Sequence, residues 1–203
     1  AEAHKRVLAE DIIAFHDSPP FDKSAMDGFA LIAEDTFGAG QSAPKEFKII
    51  DAIGAGDFSS KTVNHNEAIV IATGAPIPDG ANAVLMKEYT TTDGDDLTIY
   101  SQVTPGENVS PKSEDIEKGQ KILDKNTFIR YQELGLVASA GYDTVKVFKK
   151  PRVKIIITGN ELVEPTKEEI DKAKIINSNQ FTIKAMVEDS GAICDIDRAG
   201  DTF

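Results

Sequence analysis

Ser18-Pro19-Pro20-Phe21-Asp22-Lys23-Ser24-Ala25-Met26-Asp27-Gly28-Phe29-Ala30 is the stretch on which the reading of this chain turns. Two prolines fix their own φ and push the residue before each toward extended backbone, so the approach is stiff. Small residues, a carboxylate and a glycine follow. That composition lets backbone come close to a ligand while a tight turn presents Asp27. The same residues suit a plain turn in which Asp27-Gly28 opens the next strand, and local chemistry leaves both readings open.

Three further stretches stand out: Ala72-Thr73-Gly74-Ala75-Pro76-Ile77-Pro78-Asp79-Gly80-Ala81-Asn82-Ala83-Val84, Gly106-Glu107-Asn108-Val109 through Ser113-Glu114-Asp115-Ile116, and Thr158-Gly159-Asn160-Glu161-Leu162-Val163. The first stretch resembles the PPFDNSAMDGYA signature of the molybdopterin molybdenumtransferase family, which includes bacterial and archaeal enzymes and the E domain of gephyrin. The other three are similar to the same family in the same order.

A chain of 203 residues is long enough for a buried core and for one or two domains. No apolar run approaches the roughly 20 residues that cross a bilayer. Ala1-Glu2-Ala3-His4-Lys5-Arg6 is not followed by the apolar segment of a signal peptide. The single cysteine, Cys194, has no partner for an internal disulfide, which fits a reducing compartment and predicts a cytoplasmic protein with Cys194 as a small core residue. Net charge is −12, from 22 basic against 34 acidic side chains, which excludes a nucleic-acid partner resting on clustered Lys and Arg. An anionic small ligand would need backbone N–H groups, a few local cations or, preferably, a bridging divalent cation. His4, His16 and His65 lie far apart without zinc-ligand spacing.

Residues 7–15 read as a short helix or a strand, and periodicity does not decide. Strands are predicted at 28–32, 46–53 and 67–72, with loop over 34–45 and a turn at Gly54-Ala55-Gly56-Asp57. Segments 83–89 and 97–103 flank Asp93-Gly94, a hairpin turn pair, with a loose tip expected between them. Leu134, Val137 and Ala138 share a helical face, ended by a glycine at Gly141. A strand follows at 144–148. Residues 153–158 read as a strand buried on both faces, in the manner of a parallel sheet. Asn177 or Ser178 caps a helix whose Ile183, Met186 and Val187 face inward, ending near Gly191, and residues 192–196 begin another strand.

The expected fold class is therefore α/β multidomain: an α+β linker or dimerisation region (1–18 and 119–150), a strand-rich domain (19–118), and the start of a molybdopterin-binding α/β domain with a mostly parallel sheet (151–203). One β-α-β unit buries its sheet poorly, so Phe203 is not expected to be a natural stop. The resemblance implies further strands, helices and a β domain after it, a Gly-rich phosphate loop among them, and a helix before Ala1.

The resemblance also implies the chemistry: molybdenum from molybdate enters adenylylated molybdopterin, the phosphoanhydride is cleaved and AMP leaves. Metal ions and oriented donors would neutralise phosphate oxygens there. Asp27, Thr73, Asp115 and Glu161 are the expected catalytic residues, and Asp27, Asp115 and Glu161 the expected Mg²⁺ ligands. Thr73-Gly74 would offer a hydroxyl and a free backbone N–H to an oxyanion. Ser24, Gly28, Gly74, Lys112, Asn160, Ser178 and Asn179 are the expected substrate contacts. Three positions depart from the family pattern. Ser110 stands where arginine is usual, Ser113 where glycine is usual, and Asn160 where the TGDEL motif has aspartate. Lys112 would restore some positive charge without reproducing a guanidinium clamp.

Within the family the strand-rich domain of one protomer meets the α/β domain of its partner, so a homodimer is expected with Asp27, Thr73 and Asp115 opposite Glu161 of the other chain. The upstream molybdopterin adenylyltransferase is a further expected partner; nucleic acid and membrane are not. This piece by itself is expected to be inactive. The alternatives are a non-catalytic scaffold of the gephyrin E-domain type and a Mg²⁺-dependent phosphohydrolase.

Overall fold

The structure, a computed structural model, describes residues 2–200. They form two compact units, one of residues 13–122 with 139–141, the other of residues 2–12, 123–138 and 142–200. Along the chain β1 (Ile12–Ile13) and β2 (Lys23–Ser24) are two-residue pieces. The first unit is then built on β3 (Gly28–Leu31), β4 (Lys45–Ile53), β5 (Glu67–Ile71), β6 (Ala83–Met86), β7 (Thr90–Asp93) and β8 (Asp96–Ile99). These six make one mixed sheet in the order β6-β3-β5-β4-β8-β7. β3 runs antiparallel to both neighbours, β4 and β5 run parallel, and β7-β8 is a hairpin.

Side chains alternate across a strand, and here both faces are covered. Phe29, Leu31, Ala83, Leu85, Leu97 and Ile99 belong to one apolar cluster, while Ala30, Val84, Ile69 and Ile71 belong to another. Continuous apolar runs, Gly28 to Leu31 and Ala68 to Ile71, are therefore central strands. Leu31, Leu85 and Leu97 are fully buried, each contributing about 1.5–3 kcal/mol by leaving water. The loop expected over 34–45 begins instead with one helical turn, α1 (Ala33–Thr36), whose buried Thr36 hydroxyl donates to the Ala33 carbonyl at 2.6 Å and accepts from the Val103 N–H at 3.0 Å.

The predicted hairpin has a different frame. The segment 83–89 is not one strand: β6 ends at Met86, a 3-10 turn occupies Lys87–Tyr89, and β7 follows. β6 pairs with β3, and the true hairpin is tight, with Gly94 and Asp95 between Asp93 and its partner Asp96. A loose tip is not found, because Gly94 takes the left-handed φ of 58° that a two-residue turn requires. β9 (Val109–Ser110) pairs with β2, and β10 (Lys121–Leu123) ends this run of strands.

In the other unit residues 7 and 8 are extended, forming bridges with Phe128 and Val147. The strand expected at 144–148 shrinks to that one bridge. α2 (Tyr131–Ser139) buries Val137 as predicted, with Leu134 half-buried and Ala138 exposed. β11 (Arg152–Thr158) is followed by β12 (Leu162–Val163), β13 (Ile175–Ile176), α3 (Asn179–Asp189) and β14 (Ile193–Ala199). β11 pairs with β14 in parallel, Arg152 opposite Ile193 through Thr158 opposite Ala199. The expected burial is not found: Ile156 is 61% exposed, and Ile183 and Met186 of α3 are 45% and 66% exposed. Two strands and one helix offer too few layers to cover those faces. Ala1 and Phe203, on which two expectations rested, lie outside the described residues.

Candidate functional site

Strand register assembles the first cluster. Gly28 lies opposite Ile71 of β5 on one side and Met86 of β6 on the other. The residue just before Gly28 and the residues just after Ile71 and Met86 therefore emerge at the same end of the sheet. Asp27 Oδ1 accepts the Thr73 backbone N–H at 2.9 Å and the Thr73 hydroxyl at 2.8 Å, while Lys87 Nζ stands 3.4 Å from Oδ2. The Thr73 N–H first, then its hydroxyl and Lys87, hold the Asp27 carboxyl below its ordinary range. A side chain at Gly28 would put Cβ 2.0 Å from the Leu85 carbonyl oxygen, so the close approach this glycine permits is to β6.

The chain before Asp27 laces the second and third stretches together. The Ser18–Pro19 peptide bond is cis. Ser24 is buried, and its hydroxyl donates to the Met26 carbonyl at 2.5 Å. Its backbone N–H donates to the Ala75 carbonyl and its carbonyl accepts from the Gly74 N–H at 2.8 Å. The free N–H expected at Thr73-Gly74 is thus not there: both amides are already bonded, one to Asp27 and one to Ser24. On the other side the Asp115 N–H donates to the Ser18 carbonyl, and the Lys112 N–H to Asp22 Oδ1 at 2.7 Å. Asp115 itself is exposed. Lys112 Nζ lies 3.1 Å from Asp17 Oδ2, and the Asp17 side chain is only 16% exposed. Among the described residues no three His, Cys, Asp or Glu side chains are grouped to hold a metal ion.

The fourth stretch belongs to the other unit. Gly159 sits at a φ of 126°, and a Cβ there would come within 2.7 Å of the Glu161 carboxylate. Glu161 and Asn160 are exposed, and Lys174 Nζ donates to the Asn160 carbonyl at 2.7 Å. Of the two candidate caps for α3, Asn177 does the capping, its Oδ1 accepting the Gln180 N–H at 3.2 Å. Ser178 makes no side-chain cap bond. Ser178 and Asn179 line a cavity of about 360 Å³ with Thr158 and Leu162. The structure thus brings together Ser24, Asp27, Gly28, Thr73 and Gly74 in one cluster, and sets Asn160 and Glu161 apart from the cavity that Ser178 and Asn179 share.

The family profile described as MoeA N-terminal region (domain I and II) matches residues 1–141. The chain belongs to the MoeA family. It is 43% identical over 190 residues to a molybdopterin molybdenumtransferase of Staphylococcus epidermidis RP62A, covering 94% of this chain and 45% of the relative. It is 44% identical over 185 residues to the enzyme of that name from Staphylococcus aureus Mu50, covering 91% and 44%. A crystal structure of the molybdopterin biosynthesis moeA protein from Pyrococcus horikoshii OT3 superposes with a TM-score of 0.91 at 38% identity, over 99% of this chain and 54% of that one. This MoeA-family chain therefore spans about half the length of the relatives it matches or less, and its mixed, sheet-rich fold with few helices is shared with them.

One member of the MoeA cluster escapes sequence reasoning. Lys87 sits in Met86-Lys87-Glu88-Tyr89, where no spacing or motif marks it. Only the end of β6 beside β3 brings it to Asp27. The available signal was the apolar run Ala83 to Met86, whose stop fixes what emerges next to the Asp27 turn. The departure at Ser113 also acquires a physical meaning, because its φ of 64° is the left-handed conformation that glycine adopts freely.

Proposed function

We propose that this chain supplies part of a molybdopterin molybdenumtransferase, which moves molybdenum from molybdate into adenylylated molybdopterin and releases AMP. The observation that carries this reading is the Asp27–Thr73 pair. Two family-like stretches, 46 residues apart, converge on one carboxylate oxygen through two hydrogen bonds. Two donors from Thr73 keep Asp27 ionised and fixed, so it can accept a proton or orient a water at a phosphoanhydride. Asp115 and Glu161 are exposed carboxylates that would meet the substrate from other loops.

Among the described residues no triad of acids is grouped, so one chain by itself offers no ready set of Mg²⁺ ligands. Mg²⁺ enters this proposal only as a counter-ion of the substrate phosphates, and no step runs through it. The proposal includes a homodimer in which Glu161 of one protomer complements Asp27, Thr73 and Asp115 of the other. It also includes a cytoplasmic site of action, traffic with the molybdopterin adenylyltransferase, and the three-part division 1–18 with 119–150, 19–118 and 151–203. Among the described residues no helix is long and apolar enough to cross a membrane.

Incubation of the full-length protein with adenylylated molybdopterin tests the reading. Molybdate-dependent AMP release supports it. Hydrolysis of unrelated phosphoesters would favour a phosphohydrolase instead, and absence of binding a scaffold.

A further inference from the structure

The proposed reaction brings a polyanion to a chain whose net charge is −12, so some cation must meet it. Lys112 occupies the sequence position nearest the missing arginine, but its ammonium is taken. It lies 3.1 Å from Asp17, whose side chain is mostly buried and whose other oxygen accepts the Lys118 N–H at 2.8 Å. Withdrawing Lys112 would leave a mostly covered carboxylate without its cation, which is unfavourable. Lys87 is in the opposite situation. Its pair with Asp27 is long, at 3.4 Å, and the two side chains are 60% and 52% exposed, so the pair is weak and easily remade.

We infer that Lys87 is the substrate-anion residue of this site, a phosphate-binding lysine held ready beside Asp27. The inference rests on the proposed function for its substrate, but its geometry stands alone. An ammonium has three donors, and at most one is spent on Asp27 Oδ2. The others are free to meet a phosphate oxygen. Asp27 does not depend on Lys87 for its position, because Thr73 grips the other oxygen with two hydrogen bonds. A phosphate arriving at Lys87 is thereby placed next to an oriented carboxylate, with the lysine between the two negative groups. Lys87 would thus bring, from the turn after β6, a positive charge that Ser110 does not offer.

The test uses the full-length protein in two arms. In the first, calorimetry measures binding of inorganic pyrophosphate, a probe of the same anionic chemistry. In the second, AMP release gives KM and kcat for adenylylated molybdopterin. Lys87→Ala is expected to weaken pyrophosphate binding and raise KM by about tenfold, as loss of one charge-assisted hydrogen bond does, with kcat changed far less. Lys87→Arg should recover most of the affinity. Lys48→Ala, which removes the same charge from the exposed pair with Asp96, should change neither. Pyrophosphate binding within twofold of wild type in Lys87→Ala overturns the inference, and so does an equal effect from Lys48→Ala. Lys87-dependent binding without AMP release would sustain the inference while removing the proposed function. AMP release indifferent to Lys87 would do the reverse, and neither binding nor release would remove both.

Discussion

Asp27 is an ordinary exposed carboxylate made unusual by Thr73 first and Lys87 second. Its pKa is lowered first by the Thr73 N–H, then by the Thr73 hydroxyl, and Thr73→Val removes only the second. The Asp27 pKa should therefore rise part of the way toward its ordinary 3.8, as read by carboxylate NMR titration; an unchanged value would mean that the hydroxyl contributes nothing. The sign follows from linkage. A depressed acid stabilises the fold above its unfolded pKa, and that help is lost as pH falls through the folded pKa. Ser113 presents a separate case. Its φ of 64° strains any residue with a Cβ, so Ser113→Gly should stabilise the protein by about 1 kcal/mol in urea denaturation. Destabilisation there would show that the serine side chain compensates the strain. At this scale Asp27 and Thr73 stand out in the sequence because their motifs are local, and the structure hydrogen-bonds them to each other. Lys87 does not, since strand register and nothing in its own neighbourhood sets it beside Asp27.

Elements were readable where burial leaves a one-dimensional trace. β3, β4 and β5 are apolar runs between turn residues, and their bounds came out within a residue or two. The expected strand at 83–89 runs β6 on through the 3-10 turn and stops short of β7, because Met86-Lys87-Glu88-Tyr89 has no glycine or proline to mark that turn. β11 was read as buried from its isoleucines, yet burial depends on layers that composition does not reveal. α2 carries a prediction of its own. Glu133 accepts the Arg130 backbone N–H at 2.9 Å and pairs with its guanidinium at 2.5 Å, closing the helix start. Chiefly through the Arg130 side chain, its pKa is lowered from 4.5 to about 2. Wild type should be more stable than Glu133→Gln at neutral pH. The gap should close as pH falls from 4.5 to about 2, and thermal melts of both proteins across that range will show it. A gap that persists at low pH would place the contribution in packing and not in charge.

At the scale of the whole molecule, the family stretches divide between the two units, three in the sheet unit and one at the end of β11. Loops that close strands are where binding residues commonly sit, whereas apolar strand positions tolerate other apolar side chains. The proposed homodimer is tested at this scale. Mixing full-length Asp27→Asn with full-length Glu161→Gln should restore AMP release that neither variant shows alone, because a mixed dimer keeps one intact site. No recovery on mixing would confine each site to one protomer. Asp27 is the carboxylate on which the proposed chemistry turns. Its most direct test is molybdate-dependent AMP release from adenylylated molybdopterin by the full-length protein, compared with Asp27→Asn at matched thermal stability. The prediction is a loss of at least about a hundredfold in kcat, the scale of an oriented acid–base group. Release at the wild-type rate would contradict it.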